Sequence, residues 1–461
     1  MGIRGFLGEI SAKKIPLHGY MIWHDGKILS KGECPQTLLS DPHRTFSISK
    51  TLTAIAVGLL AAKGKLGLDD LICDYFKDKV TPSTDSRIRS MTIRNMLMMR
   101  TCHSITTYKV TAGDDWVGSF FTALPDHDAG TLWHYDTSSA HTLAALVERV
   151  AGTDILTFMR SSLPAINLSP GAHFLCDAMG VPMGGTGLCA TSYDMLSMAL
   201  LFYDALSMDD AGFTAKYCPD SSFDSAFFKD FLVTACSKLS ATDIKANSRI
   251  EGYGYGYMVW RTDHDGFMLY GMGGQFAAVY PNEKTILITT ADTQGIGGGN
   301  DVIFDAFYEH ILGREDAIEE TNDITPLALP TLSSVNPAPT EAVYMLDENP
   351  HFFESLKLTL EEDTGSITLM GSRKKYILNF GINKTVAGIF PGYDQKCFGS
   401  GALQGDDMLY VRFYVIDDYV GSVHLQLHFS KDRSVLNVFM KKVEESLFWD
   451  FEGHLHGTLS A

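Results

Sequence analysis

A helix that is apolar around its whole circumference belongs in the middle of a domain, because any face turned to water would expose hydrophobic surface. Residues 47–63 read as such a helix. Ser47-Ile48-Ser49-Lys50 leads into the run Leu52-Thr53-Ala54-Ile55-Ala56-Val57-Gly58-Leu59-Leu60-Ala61-Ala62, and Gly64 and Gly67 end it. The run is roughly half as long as a bilayer span requires. It therefore predicts a core helix, around which the rest of a domain must be built.

What flanks it says which kind of domain. Tyr20-Met21-Ile22-Trp23 and Ile28-Leu29 bracket an Asp25-Gly26 turn, the signature of a β-hairpin. Residues 85–215 read mainly as helices (93–99, 142–150, 155–161 and 193–206), with a Gly- and Pro-rich loop at 169–187. From about 252 the pattern turns to strands, at 254–262, 268–270, 276–280 and 285–291, closely spaced as in an antiparallel meander. A last helix follows near 301–312. Strands early and late with helices between predict an α/β domain, 1–321, whose two ends meet in one sheet. Residues 322–340 carry Pro326, Pro330, Pro337 and Pro339 and read as a linker. The remainder, 341–461, reads as all-β: short strands at 356–360, 366–369, 376–380, 408–415, 423–429, 435–438 and 447–451 imply a small barrel or sandwich.

Composition excludes several functions. The 461 residues hold 37 Lys and Arg against 55 Asp and Glu, a formal charge of −18, so phosphate backbones and anionic membranes are repelled. The eight cysteines stand singly, as expected of reduced, buried thiols rather than a disulfide framework or a zinc site. Met1 to Lys14 lacks the apolar stretch of a secretory signal. The expectation is a soluble, cytoplasmic protein with no membrane insertion and no nucleic-acid partner; the oligomeric state stays open.

Chemistry concentrates at the mouth of the core helix. Ser47 and Lys50 are three residues apart and share a helical face. The helix N-terminus offers unpaired N–H groups and positive dipole to a developing oxyanion, and desolvation would draw the lysine toward the pKa of a useful base. An isolated S-x-x-K also arises as an N-cap serine beside a solvated lysine. Here the helix is too apolar for Lys50 to face water freely.

The residues His43 to Gly58 resemble the signature of the serine β-lactamase-related hydrolases, the class C β-lactamase, penicillin-binding-protein and esterase-like group in which S-x-x-K carries the nucleophile. The likeness continues in order through Gly67-Leu68-Asp69-Asp70, Ile93 to His103, Gly130-Thr131-Leu132-Trp133-His134-Tyr135-Asp136-Thr137, and the strand pair of 253–275. It spans roughly 15–315. It implies a β-lactamase/transpeptidase-like fold: an antiparallel sheet flanked by helices, with a helical subdomain at about 85–215. It implies Ser47 as the acylated nucleophile, Lys50 as its base, and Tyr135 as the proton shuttle, which needs either a cation to hold it partly as phenolate or a relay of its proton. No cofactor or metal is implied.

Departures bear on the substrate. Thr137 stands where the family has Asn, and lacks the amide's paired donor and acceptor. The third motif, K-T-G or H-x-G in the family, is Gly271-Met272-Gly273-Gly274-Gln275, without a cation to anchor a carboxylate. An N–H of Met272 or Gly273 would complete an oxyanion hole with Ser47. The expected substrate is a small ester or amide. The alternatives are a β-lactamase or D-amino-acid peptidase, and a catalytically silent ligand-binding protein. His173/Cys176, His424/His428 and His454/His456 have metal-like spacing but no third and fourth ligand nearby in sequence, so they read as satisfied or surface residues. His103 reads as structural, and Asp115-Trp116 as packing.

Overall fold

The computed structural model describes residues 2–242, 248, 250–315, 318, 320–331, 334–444 and 447–460. Two separate hydrophobic cores are present, one reaching from Phe6 to Leu312 and one from Tyr344 to Leu455.

The first core surrounds a seven-stranded sheet ordered β10-β2-β1-β9-β8-β7-β6. Its strands are β1 (Leu17–His24) and β2 (Lys27–Glu33), then β6 (Trp260–Arg261), β7 (Phe267–Gly271), β8 (Gln275–Tyr280), β9 (Thr285–Ala291) and β10 (Ile324–Pro326). A small separate sheet runs β3 (His43–Arg44), β5 (Leu188–Ala190), β4 (His173–Phe174). The two ends of the domain do meet: β1 lies between β2 and β9, with Tyr20 opposite Thr289. The hairpin turn forms because Asp25 and Gly26 both take positive φ, 40° and 96°, as a tight primed turn requires. Helices cover both faces. Phe304 and Phe307 of Gly299–His310 pack on Phe276 and Tyr280, while Phe202 and Tyr203 of Ser192–Ser207 pack on Phe267 and Trp23.

The core helix runs Ile48–Ala62 and is buried at every position but Ala61. Several expected elements shift. The 142–150 helix starts earlier, at Thr137, because Asp136 caps it by accepting from the N–H groups of Ser138 and Ser139. The expected strand 254–262 shrinks to β6, since the chain at Gly256 packs onto the Ala235 carbonyl so tightly that a Cβ would lie 1.9 Å from its oxygen. The Pro-rich stretch is not all connector: Ile324–Pro326 pair in parallel with β2, which makes the otherwise antiparallel sheet mixed. Residues 332 and 333 of that stretch lie outside the described residues.

The second core fills a β-barrel. Nine strands close on themselves when Lys375–Ile382 pairs in parallel with Gln395–Gln404, and Val386–Phe390 forms a tenth at the seam. The expected strand at 447–451 is instead a turn at Trp449–Phe451, and the last strand follows at Gly453–Leu459. Leu329, Phe398, Tyr414 and Ile416 join Cys34 in a small apolar cluster that seats the barrel on the first domain. No helix among the described residues is long and apolar enough to cross a membrane. All eight cysteines are free; seven are buried, and Cys176 is exposed.

Candidate active site

Ser47 sits on a turn that the chain holds under tension. Phe46 takes φ +48°, a region costly for a residue with a side chain. The turn is pinned on both sides: Thr45 N–H and Oγ1 donate to the Leu188 carbonyl at 2.8 and 2.9 Å, and Leu188 N–H donates to Ser49 Oγ at 2.9 Å. Ser47 is thereby presented as the N-cap of the core helix, half-buried, with its hydroxyl not spent on capping.

Lys50 is only 1% exposed. Its Nζ lies 3.0 Å from Ser47 Oγ and donates to the Gly185 carbonyl at 2.6 Å. It also lies over the Tyr135 ring, 4.7 Å from the centroid. Gly185 reaches this position because it has no side chain: a Cβ there would meet Thr137 Cγ2 at 2.5 Å. Tyr135 is walled by Trp260 and Tyr255, at ring separations of 5.4 and 6.1 Å. Burial pushes its phenol above the ordinary value of 10, with the nearby Ser47 hydroxyl working against the rise. Of the two ways a tyrosine can serve here, a neutral proton relay therefore fits, and a standing phenolate does not.

The core helix, the start of the 137–151 helix and the end of β7 thus bring Ser47, Tyr135, Thr137 and Met272 to one cavity of about 610 Å³. Lys50 lies beneath its floor, touching Ser47. Gly273 does not line this cavity; it faces the adjoining one with Gln294 and Asn300. Among the described residues, neither the Ser47 nor the Met272 N–H donates a hydrogen bond to the backbone or to a side chain. Thr137 opens its helix, and its N–H donates to Thr106 Oγ1 at 3.4 Å.

Several neighbours were not legible as site residues. Asp136 is fully buried, and burial pushes its carboxyl up to about 6 while hydrogen bonds from Ser138 and Ser139 and the charge of Lys50 oppose this. The Asp-Thr-Ser-Ser run is a helix-start signal that could have found it. Trp116 does pack, stacked on Tyr108 at 4.1 Å, but the pair also lines the cavity. His103 is buried against the Phe120 carbonyl and lies away from it. The barrel supplies the far wall through Tyr419, Val420 and Glu444. Arg44, two residues before the strained turn's apex, is sandwiched between Phe46 at 5.0 Å and Tyr419 at 4.5 Å. No spacing along the chain could show this, because the partners are some 370 residues apart.

The barrel also brings ligand-type atoms to His173, three in all and not four. His173 has further potential ligands beside it after all: its Nε2 lies 2.8 Å from Asp418 Oδ1, and Cys189 Sγ is 3.7 Å from the same oxygen. The ligand atoms of the three lie within 4.8 Å of one another. Cys176 takes no part in that group.

Residues 11–165 match the Beta-lactamase family. No curated protein matches the chain. Among solved structures, a Bacillus anthracis protein assigned as a 6-aminohexanoate-dimer hydrolase is 15% identical, with a TM-score of 0.52 over 68% of this chain and 82% of the other. A Bacteroides dorei protein assigned as a β-lactamase is 14% identical, TM-score 0.51, over 66% and 96%. EstCE1, a hydrolase with promiscuous acyltransferase activity, is 14% identical, TM-score 0.50, over 66% and 99%. At these identities the structures speak for fold alone. The resemblance carried by the motifs holds: the first domain has the β-lactamase/transpeptidase-like fold, followed by a separate barrel.

Proposed function

Starting from a β-lactamase-like fold, we propose that this protein is a serine hydrolase that cleaves an ester or amide through an acyl-enzyme on Ser47. One observation carries the reading: an amine withdrawn from water lies 3.0 Å from a serine hydroxyl at a helix N-terminus. Lys50 Nζ takes the proton as Ser47 Oγ bonds to the substrate carbonyl carbon. The oxyanion is held by the N–H groups of Ser47 and Met272, which have no competing acceptor among the described residues. As the tetrahedral adduct collapses, the bond to the leaving group breaks, and Tyr135 passes it the proton held by Lys50. Water repeats the sequence on the acyl-enzyme: it loses a proton to Lys50 through Tyr135, and Ser47 leaves with that proton restored.

The third motif favours small neutral esters and amides. No cation stands in Gly271 to Gln275, and Tyr270 just before it accepts a hydrogen bond from Asn300 at 3.2 Å. The 6-aminohexanoate-dimer hydrolase and EstCE1 are consistent with an amide or an ester, respectively. Intact mass after incubation with a fluorophosphonate tests the nucleophile: one adduct on the parent and none on Ser47→Ala is expected. An adduct of equal yield on the variant overturns the assignment. Nitrocefin turnover well above buffer would instead favour a β-lactamase.

A further inference from the structure

A smaller cavity, about 160 Å³, lies between the two domains and shares no lining residue with the cavity at Ser47. From the first domain it is lined by Lys13 and Lys14, at the end of the helix Ile3–Ala12. From the barrel it is lined by Ser400, Tyr410 and Arg412. Ser400 and Arg412 are direct cross-strand partners, so their side chains stand together on the barrel's outer face. Three cations converge here in a chain of formal charge −18.

What sets this cavity apart is its unspent donors. Ser400 is 5% exposed, and its Oγ has no hydrogen-bond partner among the described residues. Arg412 Nε is likewise buried and unpartnered. The remainder of that guanidinium donates to the neutral hydroxyls of Tyr414 at 2.8 Å and Tyr410 at 3.3 Å. No carboxylate among the described residues makes an ion pair with Arg412. Asp292 feels its charge but is bonded to Gln294. Lys13 and Lys14 also form no ion pair among the described residues; a helix C-terminus accounts for their sign, but not for the unpartnered serine hydroxyl and Arg412 Nε across from them. Buried polar groups left unpaired mark a place where a partner is missing.

We propose that this cavity binds a tetrahedral oxyanion, either free phosphate or the phosphoryl end of a small phosphomonoester. Ser400 and Arg412 form the barrel's side of the site, and the two ammonium groups approach from the other domain. Four donors from separate directions match a tetrahedral dianion better than a planar carboxylate. The volume is about five times the roughly 30 Å³ that a liquid water occupies, enough for one such group with little solvent. Because its donors come from both domains, the bound anion ties the barrel to the hydrolase-like domain.

Calorimetric titration of the full chain tests this. Inorganic phosphate and glycerol 3-phosphate are added separately, with sodium chloride balancing ionic strength. Saturable binding of one equivalent at millimolar concentrations, with a raised melting temperature, is expected. Saturation by both ligands identifies phosphoryl groups in general, and saturation by phosphate alone identifies the free ion. Arg412→Gln should weaken binding by about tenfold or more, the scale of a hydrogen bond to a charged partner. Lys13→Gln with Lys14→Gln, both exposed and safe for folding, should weaken it as well. No saturable heat with either ligand, or full binding by the double lysine variant, overturns the proposal.

Discussion

Replacing Gly271 with alanine should separate the strand end that carries Met272 from the nucleophile turn. A Cβ at Gly271 would lie 2.1 Å from the Thr45 carbonyl oxygen. Carbon–oxygen contacts settle near roughly 3.3 Å, so the two segments must part by about 1 Å. The oxygen cannot swing aside, because it accepts the Ile48 N–H at 3.2 Å and Thr45 N–H is held by Leu188. The opening therefore falls between Ser47 and Met272. A displacement of that size costs on the order of 100-fold in kcat, and the crowding about 1–3 kcal/mol in stability. The assay is steady-state hydrolysis of an activated ester, with thermal unfolding alongside. Gly8→Ala, where an added Cβ meets nothing within 4 Å, is the control. If Gly271→Ala keeps kcat within about threefold of the parent, the proposed oxyanion geometry is wrong.

Three further outcomes are expected. Asp136 ionises near 3.8 in the unfolded chain but at about 6 when buried. Its contribution is therefore full below pH 3.8 and is lost as pH rises to 6, by roughly 3 kcal/mol; urea unfolding of Asp136→Asn should show a correspondingly shallower fall over that window. Tyr419→Ala removes the barrel's stacking on Arg44, an interaction of about 0.5–1 kcal/mol, and should raise KM for bulky esters about two- to fivefold while kcat holds. Under native conditions a thiol reagent should modify one cysteine per chain, and Cys176→Ser should abolish the reaction, since the other seven are buried.

The core helix and its S-x-x-K were readable because both rest on local pattern: apolar residues on all faces, and a three-residue spacing. Tyr135, Thr137 and Met272 also meet Ser47 at one cavity, as the ordered motifs implied. Gly273 lines the adjoining cavity instead, a one-residue difference that propensity does not resolve. Asp136 is legible only in part: the Asp-Thr-Ser-Ser run signals a helix cap, but its full burial within reach of the Lys50 charge rests on tertiary packing. The contributions of Asp418, Tyr419 and Glu444 were beyond reach, since the barrel's own strand pattern says nothing of where it docks. The strands expected near 254–262 and 447–451 failed where tight backbone packing and an aromatic turn overrode β propensity.

The placement of β1 beside β9 joins His24 to Thr285 across 261 residues. On the ribosome, the water-averse stretch at 48–62 emerges long before Ser225–Ala235 and β7, which help to shelter it. Through that interval it is a natural client for holdase chaperones.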